Sequence, residues 1–316
     1  MRIFHIGEND AGQRADKFLR KACPQLPQSL LYKAFRKRDV KQNGKRIPPE
    51  TVLQPGDELA VYLPDDCFTP PAQKTLTALP RPEYCYEDAQ IAVMKKPLNL
   101  PVHADDKGST DTLIARFLYD LAQRGAYDPA QEQSFTPALC NRLDRNTEGL
   151  VIGAKTAAAL RAVNELIREG NVKKRYLCIT AGIPPKAHDT VIAYHRRDPG
   201  QSAKISETPR EGYKQIVTEY EILQKSDDLA LLRVTLHTGR THQIRAQMAA
   251  LHCPVLGDPR YGDAAANRRH RADHQLLAAC ALTFDVPQAG HVLSAAAGRR
   301  IAYLPDFVSK YGFDAE

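Results

Sequence analysis

The stretch LALLRVTLHTGRTHQIRAQMAALH, residues 229–252, changes its periodicity half-way along. Its first part is an apolar run with β-branched residues and reads as a strand that ends near Gly239. From Arg240 to His252 the apolar residues Ile244, Met248 and Leu251 recur at helical spacing, which predicts a helix with those side chains turned inward. Arg245 lies beside that stripe. An arginine there either snorkels its charge to water or holds a partly buried carboxylate; in the second case Arg245→Met should leave the aliphatic packing largely in place.

Strands and helices continue on both sides of this stretch. IAVMKKP (91–97) and LVIGAK (150–155) read as strands, as does KKRYLCITAG (173–182), with Tyr176, Cys178 and Thr180 on one face. TDTLIARFLYDLAQRG (110–125) places Leu113, Phe117 and Leu121 at helical spacing. TAAALRAVNELIREG (156–170) does the same with Leu160, Val163, Leu166 and Ile167, capped by Thr156 and ended by Gly170. The mixture lacks regular βαβ alternation. It predicts an α+β domain with a mixed, mainly antiparallel sheet and flanking helices, not a doubly wound fold. No strand is followed by a glycine-rich dinucleotide fingerprint and there is no P-loop, so no nucleotide cofactor is expected.

NRLDRNTEGL, residues 141–150, sets Asp144 between Arg142 and Arg145 in a turn. Such an aspartate is ordinarily a solvated ion pair of little energetic weight. The seven cysteines are scattered without a C-x-x-C pair, and His270 and His274 come without cysteine or glutamate support, so neither a disulfide framework nor a metal site is expected.

The chain has 316 residues, 43% hydrophobic and 26% charged, which is enough for two domains. No apolar run approaches the ~20 residues of a membrane span, and MRIFHIGEND lacks a signal-peptide core; a cytoplasmic protein is expected. The net charge of +7 favours a polyanionic partner, and its distribution is more telling than its size.

Basic residues crowd the segment from Arg14 to Arg46, including Lys33, Arg36, Lys37, Arg38, Lys41, Lys45 and Arg46. Phe18, Leu19 and Ala22 suit a first helix. Leu30, Leu31, Ala34 and Phe35 suit a second, with Ser29 as its N-cap. Asn43-Gly44 marks a tight turn, and Leu59, Val61 and Leu63 alternate as a strand. A charge run on one helix is a solvated face; spread over two helices and a turn, it describes a surface that follows phosphates. Residues 65–82, with Pro70, Pro71, Pro80 and Pro82, read as a linker.

Two resemblances emerge. RADKFL, LLYKAFRKRDVKQNGKRI and GDEL resemble an S4 domain, a small α/β RNA-binding module. NRLDRNTEGLVI, KKRYLCITAG and GRTHQIRAQMAALHCPVLGDPRYG, in that order, resemble the RluA-type pseudouridine synthases. The implied organisation is an S4-like domain at 1–66, a linker at 67–82 and a catalytic domain at 83–316.

The resemblance implies isomerisation of uridine in RNA by cleavage of the glycosidic bond and reattachment through C5, without metal or cofactor. It implies Asp144 as the catalytic carboxylate, Arg245 as its partner, and Arg142 as the side chain that fills the gap left by a flipped nucleotide. Tyr176 matches the tyrosine set against the uracil, and Arg240 and Ile244 join the residues that bind substrate. The chain departs from the family pattern at Asn141, Asn146, Glu148 and Ala278. The implied substrate is 23S-type ribosomal RNA, acted on by a monomer not bound to membrane. A tRNA-directed synthase and a non-catalytic RNA-binding assembly factor are the alternatives.

Overall fold

A computed structural model describes residues 1–68, 78–105, 108–198, 200–287 and 290–314. Of the linker expected over 67–82, residues 69–77 lie outside the described residues. The chain divides into two compact units. One comprises Met1–Arg81, Arg116–Ala138 and Ala154–Arg161; the other comprises Pro82–Ala115, Leu139–Gly153 and Ala162–Glu316.

The first unit opens with β1 (Arg2–His5), α1 (Ala15–Ala22) and α2 (Gln28–Lys37), followed by β2 (Val40–Gln42), β3 (Lys45–Arg46) and β4 (Glu58–Val61). The strands form a sheet in the order β1-β4-β2-β3. The turn and strand expected from the sequence thus belong to a four-stranded sheet, in which β1 pairs with β4 although its short, mostly exposed sequence carries no strand signal. Phe18, Leu19, Leu31, Leu59 and Val61 are all fully buried in one core. β4 ends at Val61, short of Leu63.

Pro27 occupies the N-cap of α2 and Ser29 falls inside its first turn, a correction to the expected start. Proline's fixed φ suits a helix start, and its missing N–H costs nothing there. Lys33, Arg36 and Lys37 lie on the exposed side of α2, followed by exposed Arg38, Lys45 and Arg46. Half-buried Lys41 sets its ammonium 4.8 Å from the Tyr62 ring.

The remaining elements are β5 (Glu83–Glu87), β6 (Ile91–Lys96), α3 (Leu113–Gln123), β7 (Ala138–Leu139), β8 (Glu148–Ala154), α4 (Ala157–Glu169), β9 (Val172–Ala181), β10 (His188–Arg196) and β11 (Lys204–Ser206). They continue with β12 (Lys214–Lys225), β13 (Leu229–Leu236), α5 (Gln243–Ala250), α6 (Ala264–Arg269), β14 (Leu277–Phe284), β15 (Arg300–Ala302) and α7 (Asp306–Lys310). An 11-stranded sheet runs β11-β10-β12-β13-β9-β14-β8-β6-β5, with β15 on β14 and β7 on β8. β9 pairs antiparallel with both β13 and β14, whereas β14 and β8 run parallel. The α+β class and the mainly antiparallel sheet expected from the sequence are those observed.

Period-two alternation sorts the central strands between two cores. Tyr176 and Cys178 of β9, Ala230, Leu232 and Val234 of β13, and Leu277 and Ala279 of β14 face one side, where α5 packs Ile244 and Met248 against them. Leu177, Ile179, Leu231 and Ala278 face the other. Ala278, one of the departures from the family pattern, is therefore buried on the sheet face opposite Tyr176.

Gly149 sits at φ 125 where a Cβ would lie 2.4 Å from the Ala279 carbonyl oxygen. Only glycine allows β8 to approach β14 so closely, and this close approach sets the 141–147 loop beside the α5 face.

Candidate active site

Loop 141–147 is fastened at several points. Asn141 accepts from the Ile152 N–H at 2.8 Å and donates to the Leu150 carbonyl at 3.3 Å. Thr147 N–H bonds the Asp144 carbonyl at 3.0 Å, closing a turn. Arg145 points away from Asp144 and pairs with Asp105 at 2.7 Å. Beneath the loop, the fully buried Lys96 donates to the carbonyls of Pro97, Leu100 and Arg145, each at 2.9 Å. Burial lowers its pKa to about 7, against the pull of Asp144 and Glu148.

Lys96→Met should therefore strand three carbonyls and loosen the Asp144 loop. The expected cost is about 3 kcal/mol, read as a fall in Tm of roughly 10 °C. A Tm within about 2 °C of wild type, on the scale of a neutral surface change, would show that water replaces the ammonium.

Asp144 Oδ2 accepts from Arg245 Nη1 at 2.7 Å. The Arg245 side chain is only 7% exposed, so its charge does not snorkel. Its Nε and Nη2 make a fork to Asp258, at 2.7 and 2.9 Å. Asp258 Oδ1 also accepts from the Arg260 and Tyr261 backbone N–H groups, at 2.8 and 3.1 Å. Burial opposes charge on both partners. The mutual hydrogen bonds and charge outweigh it, raising the Arg245 pKa and lowering that of Asp258.

A recess of about 60 Å³ lies over this pair, lined by Asp144, Arg142, Tyr176, Arg240, His242, Ile244 and Leu277 among others. It shares Arg142, Asp144, His242 and Arg245 with a cleft of about 760 Å³ that also exposes Arg145, Arg197 and Arg260. The six residues expected from sequence for catalysis and substrate binding all line the recess, with Arg142 and Arg240 exposed and Ile244 buried. Tyr176 is buried, and burial first and then Asp144 push its phenol above its ordinary pKa. Such a phenol stays protonated at neutral pH, so its hydroxyl enters the chemistry as a hydrogen-bond donor and not as a ready base. Among the described residues, no group of three or more His, Cys, Asp or Glu side chains is placed to hold a metal ion.

Asp258, His242 and Lys96 were not singled out from sequence. Asp258 stands in the quoted G-D-P-x-Y-G run, yet thirteen residues from Arg245, beyond any helical or strand period. The helix expected from Arg240 begins only at Gln243, because His242 adopts φ 59, a left-handed conformation.

The sequence pattern of the RNA pseudouridylate synthase family matches residues 90–250, a span that includes Asp144, Tyr176 and Arg245. The chain is 32% identical to the ribosomal large subunit pseudouridine synthase C of Salmonella typhimurium over 311 residues, covering 93% of this chain and 91% of that protein. The Escherichia coli K12 protein of the same name is 32% identical over 305 residues, with the same coverage. Human RNA pseudouridylate synthase domain containing 4 is 24% identical, with a TM-score of 0.55 over 72% of this chain and 90% of that one, a likeness of fold. A family pattern over half the chain and relatives this similar over nearly all of it establish that the chain belongs to the RNA pseudouridylate synthases of the RluA type, isomerases of uridine in RNA.

Proposed function

We propose that this enzyme converts uridine to pseudouridine in large-subunit ribosomal RNA, with Asp144 as the carboxylate that meets the ribose of a flipped-out nucleotide. The observation that carries the reading is the Arg245–Asp144 ion pair of 2.7 Å at the recess. An arginine held in turn by Asp258 fixes the Asp144 side chain and faces it with a positive charge while substrate excludes water. Arg142, exposed at the mouth, fills the gap in the RNA, and Arg240 and Ile244 bound the site. Tyr176 lies against the uracil. Tyr176→Phe should keep RNA affinity within about twofold and slow turnover, the pattern of a group needed during chemistry; wild-type turnover would reduce Tyr176 to packing.

The ribosomal substrate is supported by the names of the two bacterial relatives. We infer cytoplasmic work from that substrate; separately, no helix among the described residues is long and apolar enough to cross a membrane. A monomer suffices, since one chain supplies Asp144, Arg245, Asp258 and Tyr176. Residues 1–66 act as an S4-like RNA-binding module through Lys33, Arg36, Lys37, Arg38, Lys41, Lys45 and Arg46. Replacing Lys33, Arg36 and Lys37 with Gln should reduce the slope of log K against log salt by roughly 0.7–0.9 for each phosphate that is no longer neutralised; an unchanged slope contradicts the assignment.

Mapping pseudouridine in ribosomal RNA from cells with and without the gene tests the substrate. Loss of modification at one or more large-subunit positions, restored on re-expression, is expected. Loss confined to tRNA would contradict it.

A further inference from the structure

His242 stands beside the reacting carboxylate, its Nε2 3.7 Å from Asp144 Oδ2 and its side chain 13% exposed. The residue is held in a left-handed conformation at φ 59, which costs roughly 1–2 kcal/mol in a non-glycine residue. Its surroundings therefore impose the position, and they place the ring on the wall of the recess.

The far side of the ring is tied to Tyr261. His242 Nδ1 lies 3.0 Å from the Tyr261 hydroxyl oxygen, and the rings pack edge to face at 5.6 Å. That oxygen already accepts the Ala203 backbone N–H at 2.6 Å, and a phenol proton turned toward Nδ1 gives the hydroxyl both an acceptor and a donor partner. A nitrogen that accepts a proton is bare, so a neutral imidazole must carry its own proton on Nε2. Burial first, and then Arg245, Arg197 and Arg260, outweigh the pull of Asp144 and lower the pKa to about 4, which favours the neutral ring at neutral pH.

A separation of 3.7 Å is too long for a hydrogen bond to Asp144, so this N–H is available to whatever fills the recess. Resting on the uridine-isomerising reading above, we propose that His242 Nε2–H donates to the uracil O2 of the flipped nucleotide. O2 is borne by the ring carbon next to the glycosidic nitrogen, and so comes within reach of a donor beside the carboxylate that meets the ribose.

When the C1′–N1 bond breaks, its electron pair leaves with uracil and spreads over N1, O2 and O4. Asp144 supplies the balancing pair to the ribose, as a bond to C1′ or by taking the C2′ proton, and recovers it when C5 bonds to C1′, by leaving C1′ or by returning the proton to C2′; the C5 proton then passes to water and N1 takes one from water. His242 keeps its own proton throughout. A neutral donor stabilises the uracil anion without adding a positive charge that would blunt Asp144.

Three measurements test this. ¹⁵N NMR of the wild-type protein at neutral pH should find His242 neutral with its proton on Nε2, and Tyr261→Phe should turn it into a mixture of tautomers. His242→Asn tolerates the left-handed backbone and, being shorter, leaves no N–H at the position of Nε2. In single turnover it should slow glycosidic cleavage about 100-fold on RNA carrying the target uridine, with RNA affinity within about twofold of wild type. With 5-fluorouridine at the target, a better leaving group that needs less help, the same variant should lose only about tenfold.

Equal losses on both substrates, or a wild-type imidazole protonated or carrying its proton on Nδ1, would overturn the proposal. So would cleavage by His242→Asn at the wild-type rate, and that result leaves the functional reading intact. A wild-type protein that cleaves no uridine in any cellular RNA overturns both.

Discussion

Asp144→Asn is expected to fold, to bind RNA with near-normal affinity, and to lose turnover by ~10,000-fold or more, the scale of removing a group that acts directly on the reacting bond. The amide keeps the shape of the carboxylate, and its oxygen can still accept from Arg245 Nη1. Arg245 keeps both bonds to Asp258, so the buried network survives and stability should change by no more than about 1 kcal/mol. A solvated turn aspartate would leave turnover almost untouched, which separates the two roles in one variant.

Arg245→Met is expected to damage both turnover and stability, even with the aliphatic packing largely kept. The guanidinium joins Asp144 to Asp258, whose carboxylate is fully buried. Methionine would leave that charge with only the Arg260 and Tyr261 N–H groups. Breaking a buried pair from one side costs roughly 3–5 kcal/mol, a Tm loss on the order of 10 °C.

The pH dependence has a definite sign. Asp258's folded pKa is depressed in wild type, so its contribution is present above the ordinary carboxylate range and is lost as pH falls from that range through the depressed folded value. The gap between wild type and Arg245→Met should therefore narrow toward pH ~4. Adding Asp258→Asn to Arg245→Met should restore part of the Tm without restoring turnover, as expected when a stranded charge is the source of instability. A Tm unchanged by Arg245→Met would contradict the network.

Local chemistry was legible in the sequence. Thr156 caps α4 by accepting the Ala159 N–H at 3.1 Å, and Gly170 ends it at φ 79. Asn43-Gly44 makes its turn with both residues at positive φ. Strand alternation correctly put Tyr176 and Cys178 on one face. The starts of α2 and α5 were misplaced because Pro27 and the left-handed His242 set them, and neither leaves a periodic trace.

Long-range partnerships were legible only through resemblance or not at all. Asp144 and Arg245 are 101 positions apart, and no spacing rule joins them. The Lys96 bond to Arg145 crosses 49 positions and is made to a backbone carbonyl, which carries no residue identity. Asp258 was visible as part of a motif, but its role depends on the turn after Val255 bringing it under α5.

The central claim is that Asp144 drives isomerisation and not mere binding or hydrolysis, and tritium release from C5-labelled uridine in ribosomal RNA tests it most directly. Moving the glycosidic bond to C5 must expel the C5 hydrogen, whereas hydrolysis need not. Wild-type protein without added metal or nucleotide should release tritium, and Asp144→Asn should release none while still binding the RNA. Release at similar rates from both proteins would contradict the account.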